Sequence, residues 1–318
     1  MAGMPPATGS QRITWAEVPA EVRAAIEKLL GSEVAAAASQ PGGFSEGVAA
    51  RLRLADGGRA FVKAASSLVA PGVARFHRRE IEVSRRLPDG VPAPRLLHAH
   101  DDGTWVALVF EDVEGRLPAQ PWERDELDRV LAAATGLARA LTPSPIDPAL
   151  LAPPRLGGWR ALANEGGAGR LPPVSRWASD HLDELVALEE AAASSLTGET
   201  LLHGDLYPFN IMLTADRVLV VDWPHAWAGA PHCDVLTLLS SASLSGVDPQ
   251  AFAREHPLTR DLPPEAIDAF LAAHAGFLLR LAATAGPGAD RHLVAMATAL
   301  GKASLRWLRR RLQDVSGT

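Results

Sequence analysis

Residues Leu202–Leu213 read LHGDLYPFNIML. Apolar ends enclose a polar centre of His203, Gly204, Asp205 and Asn210, and the stretch holds Tyr207, the chain's only tyrosine. Taken singly, an aspartate or an asparagine between hydrophobic runs is most simply a turn former, because its side chain hydrogen-bonds nearby backbone. Here a second aspartate, Asp222, follows Asn210 by twelve residues and closes the apolar run Val218–Val221. Turn chemistry does not account for that combination.

Three oxygen side chains at loop edges suit a hard divalent cation such as magnesium, which takes carboxylate and amide oxygens and keeps several waters. Two of them, Asn210 and Asp222, can ligate the metal, while Asp205 stands apart as a carboxylate base. Phosphoryl transfer needs this division: the metal bridges phosphates and the base accepts the acceptor's hydroxyl proton. Aspartate, four residues, then asparagine is the spacing of a kinase catalytic loop.

If so, phosphates must be held by the N-terminal third. Gly42-Gly43-Phe44-Ser45-Glu46-Gly47 sits where a strand would reverse, and its amides can cover phosphates, although in isolation it reads equally as a hairpin loop. No Gly-Lys-Ser/Thr follows, so it is not a Walker loop. Lys63 lies in Ala60-Phe61-Val62-Lys63-Ala64, in a chain whose only lysines are Lys28, Lys63 and Lys302. A strand lysine there either faces solvent or presents a compact charge to phosphate oxygens. In the helix that follows, Glu80 or Glu82 can pair with it; Glu80 shares a helical stripe with Phe76, Val83 and Leu87 and is the better placed. A surface pair with a neighbouring arginine is the alternative for either.

The rest of the chain fits two parts. Thr14–Leu30 reads as a helix capped near Thr14 and stopped by Gly31. Strands are expected at Val48–Leu54, Arg59–Ala64, Arg95–His100 and Thr104–Phe110, with a helix from Pro71 to near Leu87. Beyond a connector from Glu111 to Pro121, helical patterns run at about 123–142, 175–196, 233–243, 264–284 and 288–314, interrupted by strands near 210–214 and 217–222. Segments 152–174 and 285–290 are Gly/Pro-rich loops. A strand-rich third followed by helices predicts two lobes with a cleft between them. The expected organisation is an N-terminal extension over 1–32, a nucleotide-binding N-lobe over 33–112 and a C-lobe over 113–318 with the catalytic loop and acceptor-binding helices.

Composition narrows the class. The chain has 318 residues, 47% hydrophobic and 21% charged, enough for a sizeable core. A net charge of -6 argues against nucleic acid as the main partner. The single cysteine, Cys233, excludes an internal disulfide and fits a reducing compartment. MAGMPPATGSQ lacks the charged start and apolar core of a signal peptide, and no uncharged apolar run approaches the ~18 residues of a membrane span. A cytoplasmic protein without membrane attachment is expected.

HGDLYPFN, then Val220-Val221-Asp222-Trp223, then Cys233-Asp234-Val235-Leu236, resembles the aminoglycoside phosphotransferase and choline kinase-like family. The resemblance runs from about Glu33 to the C-terminal helices and is specific at its centre. It implies an α+β, bilobal protein-kinase-like fold and ATP with Mg2+ as cofactors. Asp205 is then the catalytic base, and Asn210 and Asp222 are the metal ligands. Lys63 holds the α- and β-phosphates and is oriented by Glu80. Ser45 belongs to the phosphate-covering loop, and Glu111 to Val113 form the hinge that meets adenine. Asp234 braces the catalytic loop, and His203 hydrogen-bonds backbone near the metal. Gly204 stands where protein kinases have arginine, Trp223 follows Asp222 in place of Phe-Gly, and Tyr207-Pro208-Phe209 departs from the usual small or polar residues.

Other readings were weighed against this one. A metallohydrolase could draw on His203, Asp205, Asp222, His225, His232 and Cys233, but the histidines lack an i,i+4 helical pair and the reading leaves Lys63 unused. A non-catalytic nucleotide-binding module would need a lost catalytic position, and none is lost. The acceptor is a small-molecule hydroxyl compound: an aminoglycoside or other antibiotic, an amino alcohol or a sugar. Residues for it would come from His225, Trp227, Asp248, Glu255, Asp261, Glu265 and Asp268. These acids alternate with Arg254 and Arg260 and mark no clear cation trap. Trp223 and Trp227 can stack on a sugar or a choline-like cation, or simply pack.

Overall fold

A computed structural model describes residues 12–40, 46–164, 166, 169, 171 and 173–316. The helix expected over Thr14–Leu30 is divided into a 3-10 turn, Trp15–Glu17, and helix α1, Ala20–Leu30. Pro19 separates them, extended at ψ 141° and lacking the N–H a continuous helix needs. Glu17 caps the turn by accepting from the Thr14 amide at 2.6 Å, and Gly31, at φ +72°, ends α1 in the left-handed region.

Five antiparallel strands follow: β1 Val34–Ser39, β2 Val48–Leu54, β3 Arg59–Ser66, β4 Leu96–Asp101 and β5 Trp105–Glu111, in the order β1-β2-β3-β5-β4. Helix α2, Pro71–Ser84, lies between β3 and β4 in sequence and packs on β3 and β5. Strand alternation then decides which side chain meets which helix. Ala60, Val62, Ala64, Ala107 and Val109 join Val22 and Ile26 of α1 in one cluster. Phe61, Val106, Leu108 and Phe110 join Ala74 and Ile81 of α2 in another. Lys63, paired with Leu108 across the ladder, has the parity of Phe61 and so faces α2.

The remainder is helical: α3 Arg124–Ala140, α4 Trp159–Asn164, α5 Arg176–Asp180, α6 Leu182–Leu196, α7 Cys233–Ala242, α8 Pro249–Glu255, α9 Pro264–Ala283 and α10 Arg291–Ser316. Strands β6 Thr200–Leu202 and β9 Trp227–Gly229 pair with each other, as do β7 Ile211–Leu213 and β8 Val218–Val220. Four expectations need correction. The helix read at 175–196 breaks at His181, α4 interrupts the segment read as loop, α2 stops at Ser84, and β6, β9 and α8 were not expected.

Every residue of α7 is buried, and α9 packs along both α6 and α10. Among the described residues α9 is the one helix long and apolar enough to cross a membrane, but 72% of that stretch is buried inside the protein. The two lobes are stitched at the hairpin below the cleft. The Val220 amide donates to Pro92 O at 2.7 Å across the lobes, and Arg116, just past the N-lobe, exchanges backbone hydrogen bonds of 3.0 and 2.7 Å with Leu213 of the same hairpin.

Candidate active site

The loop between β6 and β7 carries HGDLYPFN, and its backbone is held from beneath. Asp234, in the first turn of α7, accepts from the amides of His203 at 2.7 Å and Gly204 at 3.0 Å. Burial raises the Asp234 carboxyl above its ordinary range, against the pull of His203 and these two amides. His203 is fully buried; its Nε2 meets Val221 O at 3.0 Å, while its Nδ1 accepts from the Asp205 amide at 3.3 Å. Those two partners define the tautomer: protonated at Nε2, open at Nδ1. Gly204 has φ +75°, and a Cβ there would lie 2.4 Å from His225 O. The arginine of protein kinases has no room at this position.

Asp205 and Asn210 are brought together. Asn210 Nδ2 donates to Asp205 O at 2.8 Å and to Asp205 Oδ2 at 3.2 Å, which leaves the amide oxygen for another partner. Val221 N donates to Asn210 O at 2.9 Å, so the residue before Asp222 is tied to the loop. Asp222 is the one non-glycine at positive φ (+71°) among the described residues, a strained conformation that the surrounding contacts impose.

Across the cleft, Lys63 Nζ lies 2.8 and 3.0 Å from the two oxygens of Glu80 and 2.8 Å from Asp222 Oδ1. Glu82 turns away and pairs with Arg86, so the choice between the two glutamates resolves to Glu80. Burial works against the Lys63 charge, but Asp222 and Glu80 together hold its pKa above the ordinary lysine range. Desolvation at the cleft floor likewise opposes ionisation of Asp222, and the Lys63 ammonium outweighs it, keeping the carboxyl well below the usual carboxylate range.

Other expected residues fall as follows. Glu111 ends β5, its amide donating to Arg95 O at 3.0 Å, and Val113 is buried just beyond it. Ser45 lies outside the described residues. Trp223 donates its indole N–H to Val220 O at 3.0 Å and meets His203 edge-on, so it packs beneath the loop; Trp227 is buried in β9. Tyr207 is buried too, its hydroxyl 2.9 Å from His274 Nε2 on α9. The acids expected on the acceptor side do not gather around Asp205. Asp268 pairs with Arg311, Asp261 with Arg260, Asp248 caps α8, and Glu255 and Glu265 are exposed. His225 packs edge-on against Phe76, and burial lowers its pKa to about 4. No group of three His, Cys, Asp or Glu that could hold a metal ion occurs among the described residues, and His203 spends both ring nitrogens on backbone. Composition alone did not single out Arg155, whose Nη1 lies 2.8 Å from Asp205 Oδ1.

Residues 42–274 match the phosphotransferase enzyme family. A curated relative, the protein LicA homolog of Mycoplasma capricolum, is 28% identical over 64 residues, 20% of this chain and 27% of that protein's length. A choline/ethanolamine kinase family protein from Mesorhizobium loti superposes with a TM-score of 0.61 at 16% identity, covering 92% of this chain and 97% of that one. A thermostable mutant of an aminoglycoside phosphotransferase, in ternary complex with ADP and hygromycin B, superposes with a TM-score of 0.58 at 15% identity, covering 91% and 99%. At these identities the structural likeness establishes the fold: α+β and protein-kinase-like.

Proposed function

The chain belongs to the phosphotransferase enzyme family, and from that premise we propose that it transfers the γ-phosphoryl group of magnesium-bound ATP to a hydroxyl of a small molecule. The observation that supports this most is the double engagement of Lys63. One ammonium reaches both Glu80 and Asp222, and its pairing with a glutamate of the neighbouring helix is what a phosphate-binding lysine of this chemistry needs. In this reading Glu80 orients Lys63, and Lys63 exchanges Asp222 for the α- and β-phosphates when nucleotide enters. The hinge backbone from Glu111 to Val113 meets the adenine. Residues up to 112 serve the nucleotide, while those from 113 onward supply the catalytic loop and the acceptor side.

The donor set fits a hard divalent cation. Asn210 keeps its amide oxygen unspent, and Asp222 retains a second carboxylate oxygen on a side chain that is 46% exposed. Magnesium held there would neutralise charge developing on the transferred phosphoryl group. Asp205 accepts the acceptor hydroxyl's proton, its carboxylate held in plane by Asn210. His203 and Asp234 fix the backbone on which Asp205 stands.

The test is a screen of ADP release from MgATP with aminoglycosides, other antibiotics, amino alcohols and sugars. Acceptor-dependent release that needs Mg2+ supports the reading. MgATP binding without release to any acceptor would point to a non-catalytic nucleotide-binding module.

A further inference from the structure

Arg155 lies in a segment that its Gly and Pro content marks only as loop, yet the structure builds it as a strap beside Asp205. Ala152 N donates to Ala226 O at 3.0 Å, and Gly157 N donates to Ala273 O at 2.8 Å. The amides of Gly158, Trp159 and Arg160 then converge on the carboxylate of Glu189, at 2.5, 3.0 and 3.0 Å. A Cβ on Gly158 would stand 2.4 Å from Gly276 O, so the strap's backbone rests directly on α9. A segment pinned at both ends holds a side chain far more narrowly than a free loop does.

What it holds is the guanidinium of Arg155. Nη1 lies 2.8 Å from Asp205 Oδ1, and the guanidinium carbon sits 5.0 Å from the Phe277 ring centroid. Asp205 is therefore clamped at both oxygens, Oδ2 by Asn210, the residue read above as a metal ligand, and Oδ1 by Arg155. Arginine has five N–H donors in a planar fork, and the bond to Asp205 uses one of them. Beneath this pair lies a cavity of about 10 Å³ lined by Leu156, Gly204, Tyr207, Thr237 and Phe277 among others.

The charge of this region is also informative. A polycationic acceptor needs carboxylates with unspent oxygens. Asp222 spends one oxygen on Lys63 and, in the reading above, offers the other to the metal; Asp234 is held by the loop amides, Asp268 by Arg311 and Asp261 by Arg260. The charged side chain presented beside the base is a cation.

We propose that Arg155 is the positioning residue of Asp205 and that it sets the acceptor class: a hydroxyl compound neutral or anionic next to its reacting hydroxyl, not a polyamine. This rests on the phosphoryl-transfer reading above.

The experiment measures ADP release from MgATP by the full chain, with glycerol, gluconate and kanamycin as neutral, anionic and polycationic probes. Wild type is expected to favour glycerol or gluconate over kanamycin by about tenfold or more. Arg155→Gln should lower kcat by about ten- to a hundredfold, the scale of a misplaced catalytic group, with KM for MgATP within about twofold; added guanidinium should restore part of the loss in Arg155→Ala. Preferred turnover of kanamycin, or an unchanged kcat in Arg155→Gln, overturns the proposal. Absence of release from wild type with every probe excludes these three acceptors, and the wider acceptor screen above then tests phosphoryl transfer. In that case a crystal structure of Arg155→Gln decides the positioning role: Asp205 turned off Asn210 supports it, and an unmoved carboxylate overturns it.

Discussion

Lys63 Nζ stands 2.8 Å from Glu80 Oε1 and 2.8 Å from Asp222 Oδ1, so one ammonium joins the central strand, the helix beside it and the segment that leaves the β7–β8 hairpin. The two carboxylates are not equivalent. Glu80 is 1% exposed, whereas the Asp222 side chain keeps 46% of its surface. Burial raises the Glu80 carboxyl, and Lys63 is what offsets that cost. Glu80 is thus the buried counter-ion and Asp222 the exposed one.

Lys63→Met should strand a buried carboxylate and destabilise the protein by about 3–5 kcal/mol. Urea unfolding should show the loss, and the double variant with Glu80→Gln should recover part of it, since no lone charge is then buried. Calorimetry with MgATP should show weakened binding in both. Equal stability of wild type and Lys63→Met would contradict the assignment.

Tyr207 belongs to a buried chain. Its hydroxyl meets His274 Nε2 at 2.9 Å, His274 Nδ1 meets Ser304 Oγ at 2.8 Å, and Ser304 Oγ donates to Leu300 O at 3.3 Å. The last bond makes Ser304 the acceptor from His274 Nδ1–H, so Nε2 accepts from Tyr207. Tyr207→Phe leaves that nitrogen unpaired and should cost about 1–3 kcal/mol in chemical denaturation. MgATP affinity and the ranking of acceptors should not change. A shifted acceptor ranking would mean that Tyr207 touches the acceptor.

Acid should destabilise the fold before its carboxylates titrate. His274 and His232 are 3% and 4% exposed, and burial lowers both pKa values to about 4. Unfolded histidine titrates near 6.5, so between about 6.5 and 4 the unfolded chain binds more protons and stability falls as pH falls. Each histidine contributes up to about 1.4 kcal/mol per pH unit in that window. Asp222, depressed by Lys63, adds a further loss below about pH 4. Unfolding free energy measured from pH 7 to 4.5 should decline, and His232→Gln should flatten the slope.

Much of this site could be read from sequence because its residues are close along the chain. Asp205, Asn210 and Asp222 are spaced by a loop and a tight hairpin, and Lys63 stands out on a strand flanked by a turn. What escaped depends on partners far along the chain. β6 and β9 are three-residue strands that exist through pairing with each other, which local alternation cannot reveal. Arg155 meets Asp205 fifty positions away, and Tyr207 meets His274 sixty-seven away. Trp223 and Trp227 looked available for stacking on a ligand, but packing beneath the loop claims both.

The most direct test of the central claim is single-site. MgATP turnover by Asp205→Ala should be measured beside its MgADP affinity, using whichever hydroxyl acceptor gives the fastest ADP release with wild type. Loss of the base should lower kcat by about 10²–10⁴ while the dissociation constant for MgADP stays within about twofold. Wild-type turnover in Asp205→Ala would contradict the account.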